Sequence, residues 1–391
     1  MPHNSTFLLS KFLMLRKELN VGLLAWDHSK DLKKIPLLTN EIRSAIALGL
    51  PGTSAVDAFN HTALAFISFL SHPVLFSRFF FFLLRTTGSL RKTIVMVLKF
   101  HPFVSLRAKL VHFEFGTLGR DIIFLKDFFK FRVIVSFRGY DLNYAGLQNP
   151  SYYEPVWSKA DGIHFLGKDL QSRAHRRGYQ GNLREALISP AVDLKKFRRL
   201  KPYLKEATPF VVVSVGRLAW KKGLEYGIRA IKELVDQGLN LEYRIIGDGE
   251  FMQAISFTMF ELKMEGAVKL LGSRSSDEII VELEGAHVFL HPAISEGFCN
   301  AVIEAQAMEL PVVCSDADGL AENIDDGVTG FVVAKWDVNA MAEKVKRLYH
   351  DRDLGMTMGK KGRLRAEKLY SLDDQIARFK SFYMDILVHE N

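Results

Sequence analysis

Short apolar runs rich in β-branched residues recur along the chain, and between them apolar positions return every three to four residues. The runs suit strands buried on both faces, and the intervening period suits amphipathic helices. The pattern predicts strands over residues 21–26, 110–114, 133–137, 162–165 and 186–188, then over 210–215, 243–246, 268–271, 288–290 and 312–314. Helices are predicted over 224–237, 277–284 and 338–349, with a final amphipathic one over 372–387. Strands alternating with helices make an α/β chain built on parallel sheets. One core rarely serves 391 residues, so two domains are expected. The basic, proline-containing stretch 195–207 (KKFRRLKPYLKEA) is the best boundary. It separates an N-terminal domain, 1–195, from a C-terminal domain, 208–370, with 371–391 as a segment added after the second sheet. No repeat of solenoid length and no low-complexity linker interrupts this plan.

Residues 63–84, ALAFISFLSHPVLFSRFFFFLL, are apolar enough to suggest a membrane span. Pro73 breaks the helix, however, and Arg78 at mid-bilayer would cost roughly 2.5–3.5 kcal/mol. The pieces on either side are too short to cross. Two buried or half-buried helices are expected, or an interfacial helix that sets Phe79–Phe82 into lipid with Arg78, Arg85, Arg91 and Lys92 near headgroups. The N-terminus lacks the basic start and small-residue cleavage site of a signal peptide. Its Asn4-Ser5-Thr6 triplet matches a glycosylation acceptor, a pattern short enough to arise by chance.

Composition adds an asymmetry. The overall charge is +8, yet residues 1–200 carry 29 basic against 14 acidic residues, and 201–391 carry 23 against 30. A polyanionic partner is implied for the first half, such as an anionic membrane surface or a phosphorylated acceptor. Nucleic acid is not expected, because no zinc-finger spacing, RNA-recognition signature or basic-helix array occurs. Two cysteines, Cys299 and Cys314, supply neither a disulfide framework nor metal-ligand spacing. A cytoplasmic setting is the simplest reading, with a peripheral position on the inner face of the plasma membrane.

Three segments carry candidate chemistry. In residues 290–319, LHPAISEGFCNAVIEAQAMELPVVCSDADG, an apolar strand leads through a loop into a helix from about Phe298 to Glu309. Free amides and the helix dipole at such a start attract anions, and Gly297 permits close backbone approach. Glu296 and Glu304 are eight apart, which on one continuous helix leaves them about 80° apart. They converge only if Glu296 lies in the loop and Glu304 in the helix; otherwise Glu296 caps the helix and Glu304 faces solvent. In 211–223, VVVSVGRLAWKKG, a buried strand ends at Gly216, and Arg217 and Lys222 could reach a diphosphate. In 244–250, RIIGDGE, a strand enters a glycine turn at Gly247 without the full dinucleotide fingerprint.

In order and spacing these segments resemble the retaining GT-B glycosyltransferases of family four, the glycosyl transferases group 1. The matching residues are Gly216-Arg217-Leu218, Lys222-Gly223, Gly247-Asp248-Gly249, Glu296-Gly297-Phe298, Glu304-Ala305, Pro311-Val312-Val313, Gly319, Glu322 and Gly327–Gly330. The resemblance implies two Rossmann-like domains facing across a cleft, with the last helix crossing back onto the first domain. It implies a nucleoside-diphosphate sugar as co-substrate and a glycan or lipid-linked acceptor, as in surface polysaccharide synthesis, with no cofactor and no divalent metal. Arg217 and Lys222 would hold the diphosphate beside the Gly297 and Phe298 amides, Glu304 the ribose, and Glu296 the donor sugar near the reacting face. Gly216, Gly247, Ser295, Cys299 and Asn300 complete the expected donor contacts. Asp316 and Asp318 are read as a loop of solvated acids rather than a metal pair.

The first half matches more loosely. VHFEFG (111–116) resembles an H-x-H-F-G run with Glu114 in place of the second His, and VSFRGYD (135–141) resembles S-F-H-G-x-D with Arg138 in place of His. His112, Arg138 and Asp141 are the expected acceptor-side residues, Arg138 holding a leaving phosphate or an acidic acceptor. Glu309-Leu310 stands before Pro311 where the family usually has a glycine. Asn4-Ser5-Thr6-Phe7 resembles the start of the family's first helix with only three residues before it, so the first strand is expected to be missing. Two alternatives follow: a non-catalytic donor-binding homologue, or a GT-B sugar-nucleotide epimerase.

Overall fold

The computed structural model describes residues 11–16, 19, 55–106, 108–203 and 208–388. The strand expected over 21–26 and the helix start at Asn4–Phe7 lie outside them. Two parallel sheets organise the rest. The first has four strands in the order β1 (Leu110–Phe113), β2 (Arg132–Phe137), β3 (Gly162–Phe165) and β4 (Arg184–Leu187). The second comprises β5 (Phe210–Val215), β6 (Leu241–Ile246), β7 (Val268–Gly272), β8 (Val288–His291), β9 (Val312–Ser315) and β10 (Gly330–Val333). Its spatial order is β10-β9-β8-β5-β6-β7, the doubly wound arrangement. Burial explains the choice of parallel pairing. Val212, Val213, Val288 and Phe289 are fully covered because helices lie on both faces, as parallel sheets require.

Every expected strand among the described residues is present to within two residues at each end. β10 was not expected, since its only apolar run is Phe331-Val332-Val333 at a sheet edge. The stretch 63–84 divides at Pro73, which starts the helix Pro73–Thr87 after Ala55–Ser71 ends. No helix among the described residues is long and apolar enough to cross a membrane. These two helices and Leu90–Phe100 pack together, and Phe79 meets Phe128 and Phe129 at ring distances of 5.3 and 5.1 Å. The last helix, Leu372–Val388, lies on the first sheet, where Ile376, Phe379 and Ile386 join Ile134 and Ile188 in one buried cluster.

The helix Asn300–Ala307 is shorter than the 298–309 expected, for reasons at both ends. Cys299 is extended at its N-cap. At the other end Leu310 N donates to Ala305 O and Glu309 N to Gln306 O, both at 3.0 Å, the paired bonds of a Schellman turn. That turn needs a left-handed residue, and Glu309 fills it at φ 58°. A glycine at this position would adopt the conformation without strain, which is the physical content of the family's preference. Glu309→Gly is therefore expected to stabilise the protein by about 0.5–1 kcal/mol, read as a higher urea midpoint with an unchanged m-value.

Candidate active site

The second sheet reverses its winding between β5 and β8, and ligands of such sheets sit beyond the strand ends at that point. The loops leaving β5 and β8 are joined there by main chain: Ile294 N and Ser295 N both donate to Lys221 O, at 2.7 and 3.2 Å. Gly223 closes the first loop at φ 58°, where a Cβ would lie 2.2 Å from Pro292 O. Only glycine allows that approach. Gly216 and Gly247 are neighbours at the ends of β5 and β6, with Gly216 N donating to Ile246 O at 2.9 Å.

Lys222 projects from the short turn Trp220–Lys222, and its ammonium donates to the Glu296 carboxylate. Their side chains are only 15% and 11% exposed, so the pair is largely out of water. His291 Nε2 lies 3.7 Å from the same carboxylate and 3.3 Å from Cys299 Sγ. Burial acts to raise the Glu296 carboxyl, but Lys222 and then His291 outweigh it and hold it well below the usual carboxylate range. Burial likewise acts to lower the Lys222 ammonium, and Glu296 reverses the direction. Both are charged at neutral pH. Arg217 is exposed at the rim and lines the same cleft with Gly216, Lys222 and His291.

The helix Asn300–Ala307 starts beside this pair, and its N-cap side chain makes no capping bond. Glu296 lies in the loop and Glu304 within the helix, the arrangement that lets the two acids serve one crevice. Glu304 is half-buried; burial pushes its carboxyl up to about 7, with Lys196 the opposing influence. Phe298 packs edge-on against Tyr370 and joins the core, so its share of the crevice is backbone. The Cys299 amide is taken by Asn323 Oδ1 at 3.1 Å. Two cations, a helix start and the ionised Glu296 carboxylate thus lie at the strand ends, with Glu304 about one turn into the same helix. The arrangement can hold a diphosphate and two sets of hydroxyls.

His291, Glu296 and Cys299 bring three metal-type ligand atoms within 4.8 Å of one another. The Lys222 ammonium already sits on that carboxylate, so a divalent ion there would meet a buried positive charge. Asp316 and Asp318 have different partners, and the reading of solvated acids needs correction for Asp318. Asp316 is exposed and accepts from Lys335 N at 2.8 Å. Asp318 is half-buried and binds across the domain junction, accepting from Arg173 at 2.6 Å and Asn143 at 2.9 Å and also from Ser295. Ser295 is thereby committed to this junction. Glu322 caps the helix Lys168–Arg176 of the other domain, accepting from Lys168 N and Asp169 N at 2.9 and 2.6 Å. Gly139 and Gly297 touch across the cleft: a Cβ on Gly139 would lie 2.9 Å from Gly297 N. Sequence reasoning missed Asn143 and Arg173, because nothing in their neighbourhoods signals a partner more than a hundred residues away.

The acceptor-side expectations fare differently. His112 engages both ring nitrogens, Nδ1 with Tyr383 Oη of the last helix and Nε2 with Ser136 Oγ of β2, each at 2.7 Å. It presents no free nitrogen to the cleft. Asp141 is fully buried and accepts from Thr117 N and Arg138 N at 2.9 Å, which makes it a loop tie rather than a substrate contact. Arg138 donates to Glu114 through Nε to the main-chain oxygen, 2.9 Å, and Nη2 to the carboxylate, 2.8 Å. The two departures from the family's histidines are therefore one ion pair, joined by Lys11 on the same carboxylate. Arg138 and Lys11 line a cleft with His164, Pro190 and Gln375.

The family model described as "Glycosyl transferases group 1" matches residues 196–365. The capsular polysaccharide biosynthesis glycosyltransferase CapM of Staphylococcus aureus is 34% identical over 178 residues, 46% of this chain and 47% of that protein. The UDP-Gal:alpha-D-GlcNAc-diphosphoundecaprenol alpha-1,3-galactosyltransferase of Escherichia coli is 27% identical over 223 residues, 54% of this chain and 57% of its own length. The chain thus matches about half the length of these curated relatives. Among solved structures, Anabaena HepE in complex with UDP superposes with a TM-score of 0.65 at 17% identity, covering 71% of this chain and 79% of that one. The two parallel-sheet domains are those of the GT-B fold.

The raised Glu304 carboxyl gives a pH signature. Its folded proton affinity exceeds the unfolded one, so its contribution to stability is full below about pH 4.5 and lost as pH rises through about 7. Glu304→Gln is expected to be more stable than the parent at pH 8, by a margin on the order of 3 kcal/mol that vanishes near pH 4.5. Paired urea titrations of the ligand-free proteins across that range check this.

Proposed function

We propose, from the match of residues 196–365 to the glycosyl transferases group 1 model, that this chain is a retaining hexosyltransferase. It moves the sugar of a nucleoside-diphosphate donor to a glycan or lipid-linked acceptor in surface polysaccharide assembly. The observation that carries the reading is the buried, ionised Lys222–Glu296 pair beside an open helix start, with Arg217 at the rim. The names of the matched S. aureus and E. coli proteins support a polysaccharide role and a lipid-linked acceptor, and the UDP held by HepE supports a uridine nucleotide.

In this reading the diphosphate lies against Lys222, Arg217 and the Gly297 and Phe298 amides. An ammonium has three donors, so Lys222 can keep Glu296 while it meets a phosphate oxygen. Glu296, held ionised, accepts from a hydroxyl of the donor sugar. Glu304 accepts the ribose diol, and its carboxyl ionises as those donors arrive. The bond from the anomeric carbon to the phosphate oxygen breaks, and its electron pair leaves with the diphosphate. The acceptor oxygen bonds to the anomeric carbon on the same face, and its proton passes to the departing phosphate oxygen. The protein stabilises the charge growing on that leaving group, with Lys222 and Arg217 doing what a divalent cation does elsewhere.

Removing one such donor typically costs about 2.7–4 kcal/mol of barrier. Lys222→Ala and Arg217→Ala are expected to lower kcat about a hundred- to a thousandfold while leaving the fold intact by circular dichroism. Near-parental turnover in both variants overturns the site assignment. The donor for this assay is the one among UDP-, GDP- and ADP-sugars that raises the melting temperature most. Transfer is also expected to persist in EDTA; loss that magnesium or manganese restores contradicts metal independence. Conversion of donor with no acceptor present would favour the epimerase alternative.

A further inference from the structure

The N-terminal domain carries a surface outside the proposed donor site. The helices Ala55–Ser71, Pro73–Thr87 and Leu90–Phe100 pack on one another, and Phe79, Leu83, Val97 and Phe100 join the core beneath them. Their outer faces remain apolar. Phe66, Ile67, Leu70, Val74, Phe81 and Ile94 are between 47% and 72% exposed. Large apolar side chains exposed together on three packed helices mark a candidate interaction surface.

Charge accompanies the apolar tips in a regular way. On Pro73–Thr87, Val74, Arg78, Phe81 and Arg85 follow at steps of four, three and four, so they form one exposed stripe of alternating apolar and cationic side chains. Leu90–Phe100 begins with exposed Leu90, Arg91 and Lys92. Residues 58–113 contain seven basic residues and no acidic one.

We propose that this three-helix face docks on an anionic lipid bilayer, with Phe66, Val74 and Phe81 at the acyl boundary and Arg78, Arg85, Arg91 and Lys92 among the phosphate headgroups. Charge decides the occupant. A second copy of the chain would set these cations against themselves across a two-fold axis. A neutral apolar protein surface would bury them without counter-charge. An anionic bilayer accepts both kinds of side chain in the order in which the stripe presents them. Nothing in this surface depends on the donor-site reading, and it is tested without turnover.

The test is flotation of the full chain with vesicles of phosphatidylcholine alone and of phosphatidylcholine mixed with phosphatidylglycerol. Binding is expected to the mixed vesicles only, and to fall as salt is raised from low to physiological strength. Each headgroup-facing cation contributes about fivefold to partition, so Arg78→Gln with Arg85→Gln should weaken binding on the order of 25-fold. Phe66→Ser with Phe81→Ser should weaken it at every salt concentration. Both double variants alter exposed side chains and should keep the parental melting temperature and donor-induced thermal shift. Equal binding to both vesicle types, no binding to the mixed vesicles, or a dimer in light scattering that Phe66→Ser with Phe81→Ser dissolves would each overturn the proposal.

Discussion

The crevice at the ends of β5 and β8 is organised around Lys222 and Glu296, held together largely out of water. Each is buried enough that its charge would be costly alone, and each makes the other's ionisation favourable. The contact is long-range in sequence and is prepared by backbone: two amides of the β8 loop converge on Lys221 O, and Gly223 lets the loops close. Once joined, the loops lead into the helix Asn300–Ala307, whose N-cap Cys299 lies beside His291 and Glu296. The ion pair, the helix dipole and the strand ends are one electrostatic device, and its parts have little meaning separately.

Polar groups and ring contacts both join the two domains, with Tyr144 meeting Trp220 at a ring distance of 5.8 Å. Asp318 gathers Arg173, Asn143 and Ser295, and Glu322 lends its carboxylate to the amides of a helix in the other domain. Such contacts are directional and remake easily in water. They differ in kind from the attachment of the last helix, which lies on the first sheet through buried Ile376 and Phe379.

The parts of this molecule that were legible in the sequence are those set by local pattern. β5 and β8 announce themselves because parallel strands covered on both faces must be apolar throughout. The loop position of Glu296 and the helical position of Glu304 were legible because a strand, loop and helix start form a recognisable local pattern. The structure shows Glu304 inside the helix, half-buried, rather than on the solvent face. The failures share one cause. His112 and Asp141 carry chemistry-bearing groups, but Tyr383, Ser136 and Thr117 consume their hydrogen-bonding capacity, and no spacing rule reports such partners. Glu114 and Arg138 looked like two separate losses of histidine until the structure showed one pair. Asp318 looked solvated because its partners are distant in the chain.

The contact between Gly139 and Gly297 has a kinetic meaning. With the halves in this arrangement, backbone meets backbone over the amide that faces the proposed diphosphate, and no room remains for even a methyl group between them. A donor bound there cannot enter or leave past that point unless the halves part. On the proposed donor site, parting of the halves therefore joins the steps that can limit turnover. The same contact couples the two loops genetically: a side chain acquired at either glycine would shift the gate for both.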